Sequence, residues 1–171
     1  MLLVNRFVQL IENHAESLSQ KWIDEVRSNP LTLGYSGRSR EELHDAVFSR
    51  FRKLGEWVEK HEGLEKEIAV HFREIGKARS QSGIKSSEMV YSLIIERDML
   101  LKYVQDEGII TAGIDLNRAL QFTEQLNYFY DKAIYFALVG YEQVACTTTV
   151  EKEESEFDKT VDGFKHWLVR E

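Results

Sequence analysis

The sequence predicts an all-α protein, a bundle of about five antiparallel helices with a long fifth helix and a short C-terminal amphipathic helix. Apolar residues recur at intervals of three and four along most of the chain, the spacing of a helical face. One proline and ten glycines interrupt 171 residues, which leaves room for long helices joined by short links. No stretch alternates apolar and polar residues as a half-buried strand does.

The first helix is expected from about Val4 to Ser28, with Val4, Val8, Ile11, Ala15, Leu18, Trp22 and Val26 on one stripe. Asn29-Pro30 ends it, and Gly34 and Gly37 mark a loop. Ser39 followed by Glu42 is a capping box that opens a second helix, whose stripe is Leu43, Val47, Phe51, Leu54 and Val58. Gly63 separates it from a third helix bearing Leu64, Ile68, Phe72 and Ile75, which stops at Ser82-Gly83. Ser86 or Ser87 should cap a fourth helix running to about Glu107. After a loop at Gly108 to Gly113, Asp115 should cap a fifth helix that continues to Cys146 or beyond. The β-branched run Thr147 to Val150 should loosen or bend it. Residues 1–146 then form one domain, and 147–171 an acidic hinge plus an amphipathic tail with Phe157, Val161, Phe164 and Leu168 on one stripe.

Composition narrows the function classes. With 22 Lys and Arg against 29 Asp and Glu, the formal charge is -7, which argues against nucleic acid or an anionic membrane as partner, since both require a basic patch. The single Cys146 excludes an internal disulfide and a cysteine-based zinc site, fits a reducing compartment, and reads as a small apolar filler. The N-terminus lacks the pattern of a secretory signal and no stretch is long enough to span a bilayer, so a cytoplasmic location is expected.

The chemical clues are charges on apolar faces. Arg79 and Arg97 project onto the stripes of the third and fourth helices, and a buried guanidinium requires a carboxylate, a bound anion or a route to water. On the fifth helix the stripe Leu116, Leu120, Ile134, Leu138 and Tyr141 is interrupted by Glu124, Asn127 and Asp131, which supplies a complement. Arg97 is therefore expected to pair with Asp131, or else Glu124, in a structural ion pair or an anionic-ligand pocket that includes Arg79. A second apolar face of the same helix carries Phe122, Phe129 and Phe136 at heptad spacing, with Leu126, Ala133 and Gly140 between them; it is either a homodimer seam or a second core face. Among His14, His44, His61, His71 and His166, only His71 lies near an apolar stripe. It is either a core or boundary histidine or an axial haem ligand of globin type. Signatures of a phosphate loop, a nucleophile elbow and a kinase are absent, and neither catalysis, cofactor nor metal is expected.

The segment His71 to Gly108 carries Ile75-Gly76-Lys77 before Arg79, then Gly83-Ile84, Ser87-Glu88 at a helix start and Arg97 in mid-helix. A second run reads Phe129 to Tyr135, followed by Gly140-Tyr141-Glu142; Trp22 and Asn29-Pro30 fit as well. With these features, residues 1 to about 146 resemble the N-terminal domain of the RsbT co-antagonist RsbRD family, a sensory module of bacterial signalling proteins including histidine kinases. The resemblance implies an all-α, often dimeric input module for stress-response regulation. It also implies a protein partner in a signalling pathway, a kinase or anti-sigma regulatory component. The chain departs from the fused members: the part after Cys146 is too short for an output domain, and His166 is followed by Trp167 and Leu168 rather than by a phosphoacceptor motif. Either a stand-alone module or a fragment of a longer architecture is expected. The resemblance also gives weight to Gly83 as a turn former and Gly140 as a point of close helix approach.

Overall fold

The computed structural model describes the backbone of residues 4–59, 64–107 and 113–168, and side chains within 6–58, 66–107 and 116–146. Every regular element among them is helical. In order these are α1 (Val4–Asn13), α2 (Ala15–Ser28), a 3₁₀ segment (Pro30–Tyr35), α3 (Arg40–Arg52), α4 (Leu54–Glu59), α5 (Leu64–Gln81), α6 (Ser86–Glu107) and α7 (Gly113–Leu168). The expected first helix is thus broken at His14, and the expected second at Lys53, so that each folds as two shorter rods. The capping box is present, with the Glu42 N–H donating to Ser39 Oγ at 3.1 Å. At the start of α6 the serines do not act as expected. Glu88 reaches back instead, accepting from the Lys85 N–H at 3.1 Å and from the Gly34 N–H at 3.1 Å, which ties the 3₁₀ segment to α6.

Helices α5, α6 and α7 make the central layer. The Gly83 turn, at φ 75°, sends α6 back alongside α5, and Glu96 and Tyr130 place α6 against α7. Helix α7 then runs in the same direction as α5: Phe72 meets Phe129 with ring centroids 5.8 Å apart, and farther along both helices Gly76 meets Ala137 and Tyr141. Glycine is required at that crossing. A Cβ on Gly76 would overlap the Ala137 carbonyl, and one on Gly140 would overlap the Arg73 carbonyl, so the two backbones touch. Gly140 therefore does what was expected of it, and Gly76 supplies the matching surface.

The second apolar face of α7 is a core face, one of its two expected readings, and of the expected stripe Ile134, Leu138 and Tyr141 pack partly buried against the core. Phe122, Leu126, Phe129, Ala133 and Gly140 are buried within the subunit, with Phe136 partly so. Phe122 packs on Phe7, and Phe129 on Trp57 and Phe72. That face is spent on the chain's own core and is not available as a dimer seam. Leu116 and Leu120 from the expected core stripe are instead 51% and 59% exposed. Small residues decide the rotation, because Ala133, Ala137 and Gly140 allow α5 closer than a row of leucines would. Helix α7 also continues unbroken through Thr147 to Val150, where a bend was expected. Cys146 is exposed rather than an apolar filler.

Candidate functional site

The buried charge cluster is not where the stripes put it. Arg97 is partly exposed, and its Nε lies 3.0 Å from Oδ1 of its neighbour Asp98. Glu124 and Asp131 are exposed and Asn127 is half-buried, so the expected Arg97–Asp131 pair does not form. The ion pair inside the protein joins Arg50 of α3 to Glu96 of α6. Arg50 Nε and Nη2 donate to the two Glu96 oxygens at 3.0 and 2.6 Å, and the Tyr130 hydroxyl donates to Glu96 Oε1 at 2.9 Å. Arg50 Nη1 donates to the Ala46 carbonyl at 2.7 Å. Three helices are thereby pinned at one fully buried carboxylate.

The electrostatics follow from burial and pairing. Burial alone would lower the Arg50 pKa, but the adjoining Glu96 charge and hydrogen bonds carry it above its ordinary value. Burial, then the Glu96 charge, hold the Tyr130 hydroxyl well above its ordinary range, so it stays a donor. The network continues through Tyr35, whose hydroxyl is 3.0 Å from Ser92 Oγ, and Trp22, whose indole N–H donates to the Ser92 carbonyl at 3.0 Å.

Beside this cluster lies an open groove of about 870 Å³ between α3 and α5. One wall is the α3 face of Glu42, Ala46, Ser49 and Lys53; the other is the α5 face from Lys66 to Arg79, and Trp57 of α4 stands at their foot. Arg79, expected near a buried pocket, lies at one end with its side chain 11% exposed, 3.6 Å from Glu42 Oε1 and 5.4 Å from the Tyr35 ring centroid. Arg79 and Arg97 thus occupy separate environments.

His71 stands in the same wall, 4.9 Å from the Trp57 ring and 5.1 Å from Phe72. Burial, followed by the nearby Arg50 charge, pulls its pKa down to about 4, so the ring is neutral at pH 7. Its Nε2 is covered and has no hydrogen-bond partner among the described residues, as is also true of the Trp57 indole nitrogen. An axial haem ligand needs a nitrogen open to the iron. The packing of Trp57 and Phe72 around His71 does not fit that role.

Sequence reasoning missed Arg50, Glu96, Tyr130 and Trp57. The available signal was that Glu96 falls at the i, i+3, i+4, i+7 spacing of Met89, Leu93, Leu100 and Val104, on the buried side of α6. No family model, curated protein or solved structure matches the chain.

Proposed function

We propose that this protein is a non-catalytic bacterial sensory module that regulates a signalling partner, a kinase or anti-sigma component, by binding a ligand or that partner and by acting as a helical dimer. The observation that carries this reading is the α3/α5 groove, with an apolar foot at Trp57, Ile75 and Ala46, a charged rim, and a rigid buried ion pair behind it. Binding clefts are commonly mostly apolar with a few placed polar groups. The resemblance of residues 1–146 to the RsbRD N-terminal domain supplies the signalling context. Among the described residues of the groove walls no nucleophile is paired with a base, which favours recognition over chemistry.

Affinity capture from a bacterial extract tests the reading. The full chain should retain a kinase or anti-sigma component, and Ala78→Arg, which places a long cation in the groove at an exposed position, should lose it. Equal capture by both proteins, or no such component with either, would count against the proposal.

A further inference from the structure

Helix α7 turns another apolar face outward. Of the seven large apolar side chains exposed among the described residues, four lie on it: Leu116, Leu120, Tyr128 and Tyr135, each more than half exposed. Single exposed apolar residues are ordinary, but four on one helix are not scattered. With the exposed Glu124, Asp131 and Glu142 they follow at spacings of four, four, four, three, four and seven, a stripe about 39 Å long at 1.5 Å per residue. The stripe lies opposite Phe122, Phe129 and Ala133, which face the core. No α7 residue lines the groove between α3 and α5, so the two surfaces are separate.

Charge selects what fits. The stripe carries three carboxylates and no cation, and none of the three is in an ion pair among the described residues. The cations beside it are engaged or turned away. Lys132 stands over the Tyr128 ring at 5.2 Å, Arg73 of α5 over Phe136 at 5.7 Å, and Arg97 of α6 lies 3.0 Å from Asp98. Arg118 projects about 200° away from Leu116. A second copy of the chain would lay three more carboxylates against these, whichever way it ran, and the same sign disfavours nucleic acid and anionic lipid. A helix with lysines or arginines beside apolar residues at this spacing answers both parts of the stripe. Its apolar side covers the leucines and tyrosines, and its cations face Glu124, Asp131 and Glu142.

We propose that the outer face of α7 is a docking surface for a basic amphipathic helix of another protein. The proposal goes beyond the sensory reading, which places binding in the α3/α5 groove, and gives the protein a second, separate contact. The formal charge of -7 adds a long-range pull on a cationic segment.

A synthetic helix tests it on the full chain. The probe is a fluorescein-labelled peptide of about 26 residues, the length of the stripe, with leucine at the heptad a and d positions and lysine at e and g. The same peptide with glutamate for lysine is the comparison, and fluorescence anisotropy reads binding. The lysine peptide should bind and the glutamate peptide should not. Tyr128→Asp, and the pair Glu124→Gln with Asp131→Asn, should each weaken binding by about tenfold or more with an unchanged circular dichroism spectrum. Two controls should change it by less than about twofold: Glu25→Gln with Glu41→Gln, which removes the same charge from exposed positions of α2 and α3, and Ala78→Arg in the groove. Binding of neither peptide, equal binding of both, or equal loss with the Glu25/Glu41 control would overturn the proposal. So would loss with Ala78→Arg alone, which would put the peptide in the groove. A parent dimer that Tyr128→Asp converts to a monomer in light scattering would place a second copy on the face and overturn it as well. Each of these failures leaves the capture result with Ala78→Arg, and so the sensory reading, intact.

Discussion

Replacing Glu96 by Gln isolates the buried charge from the shape that holds it. The side chain is fully buried and accepts from Arg50 Nε at 3.0 Å, Arg50 Nη2 at 2.6 Å and the Tyr130 hydroxyl at 2.9 Å. Glutamine fills the same space, but its amide nitrogen donates, so one of these contacts becomes donor against donor. The Arg50 guanidinium, only 4% exposed, then keeps its charge with no counter-charge. Orphaning a buried charge costs about 3–5 kcal/mol. For a chain of this size that corresponds to a drop of about 10 °C in melting temperature. Replacing both partners, as in Arg50→Met with Glu96→Leu, removes the orphaned charge and should cost far less than the sum of the single changes, with a coupling of about 2 kcal/mol or more. Urea unfolding followed by circular dichroism measures all three variants. If Glu96→Gln lies within about 0.5 kcal/mol of the parent, or the single changes simply add, the pair is not a buried, coupled unit and the reasoning fails.

Three further outcomes follow from the same packing. Gly140→Ala should destabilise by about 1–3 kcal/mol through overlap with the Arg73 carbonyl, outweighing the better helix propensity of alanine; a thermal melt at or above the parent's would show that α5 and α7 do not touch. The folded pKa of His71, about 4, lies below the unfolded value near 6.5, so the unfolded state binds more protons between these values. Stability is therefore full above about pH 6.5 and falls as the pH drops towards 4, by about 1 kcal/mol at pH 5 after discounting for the partial exposure of the ring. His71→Phe should lose that component in unfolding curves taken at pH 7 and pH 5, and an unaltered pH slope would refute the burial argument. Glu88→Ala removes the acceptor for two backbone N–H groups, those of Lys85 and Gly34, and should cost about 1–2 kcal/mol. Faster hydrogen exchange at Gly34 than in the parent is the local check.

Local sequence determined what depends on neighbours a few residues away: the helical class, the Ser39 cap, the Gly83 turn, and the helix spans of α5 and α6 to within a residue or so. The breaks at His14 and Lys53 were not legible, because a helical stripe continues through a one-residue interruption without losing its phase. The identity of the buried charges depended on the rotation of each helix about its axis, and only tertiary packing sets that. Arg97 was expected where Glu96 is buried, and Asp131 where Tyr130 is, each one residue away, or about 100° of rotation. On α7 the expected stripe holds at Ile134, Leu138 and Tyr141, which pack against the core, and fails at Leu116 and Leu120, which are exposed. The rotation was fixed by Gly76 and Gly140, where two backbones meet. Periodicity weighs apolar bulk, whereas a close helix crossing is built from its absence, and Arg50 finds Glu96 across 46 residues of chain that no local window spans.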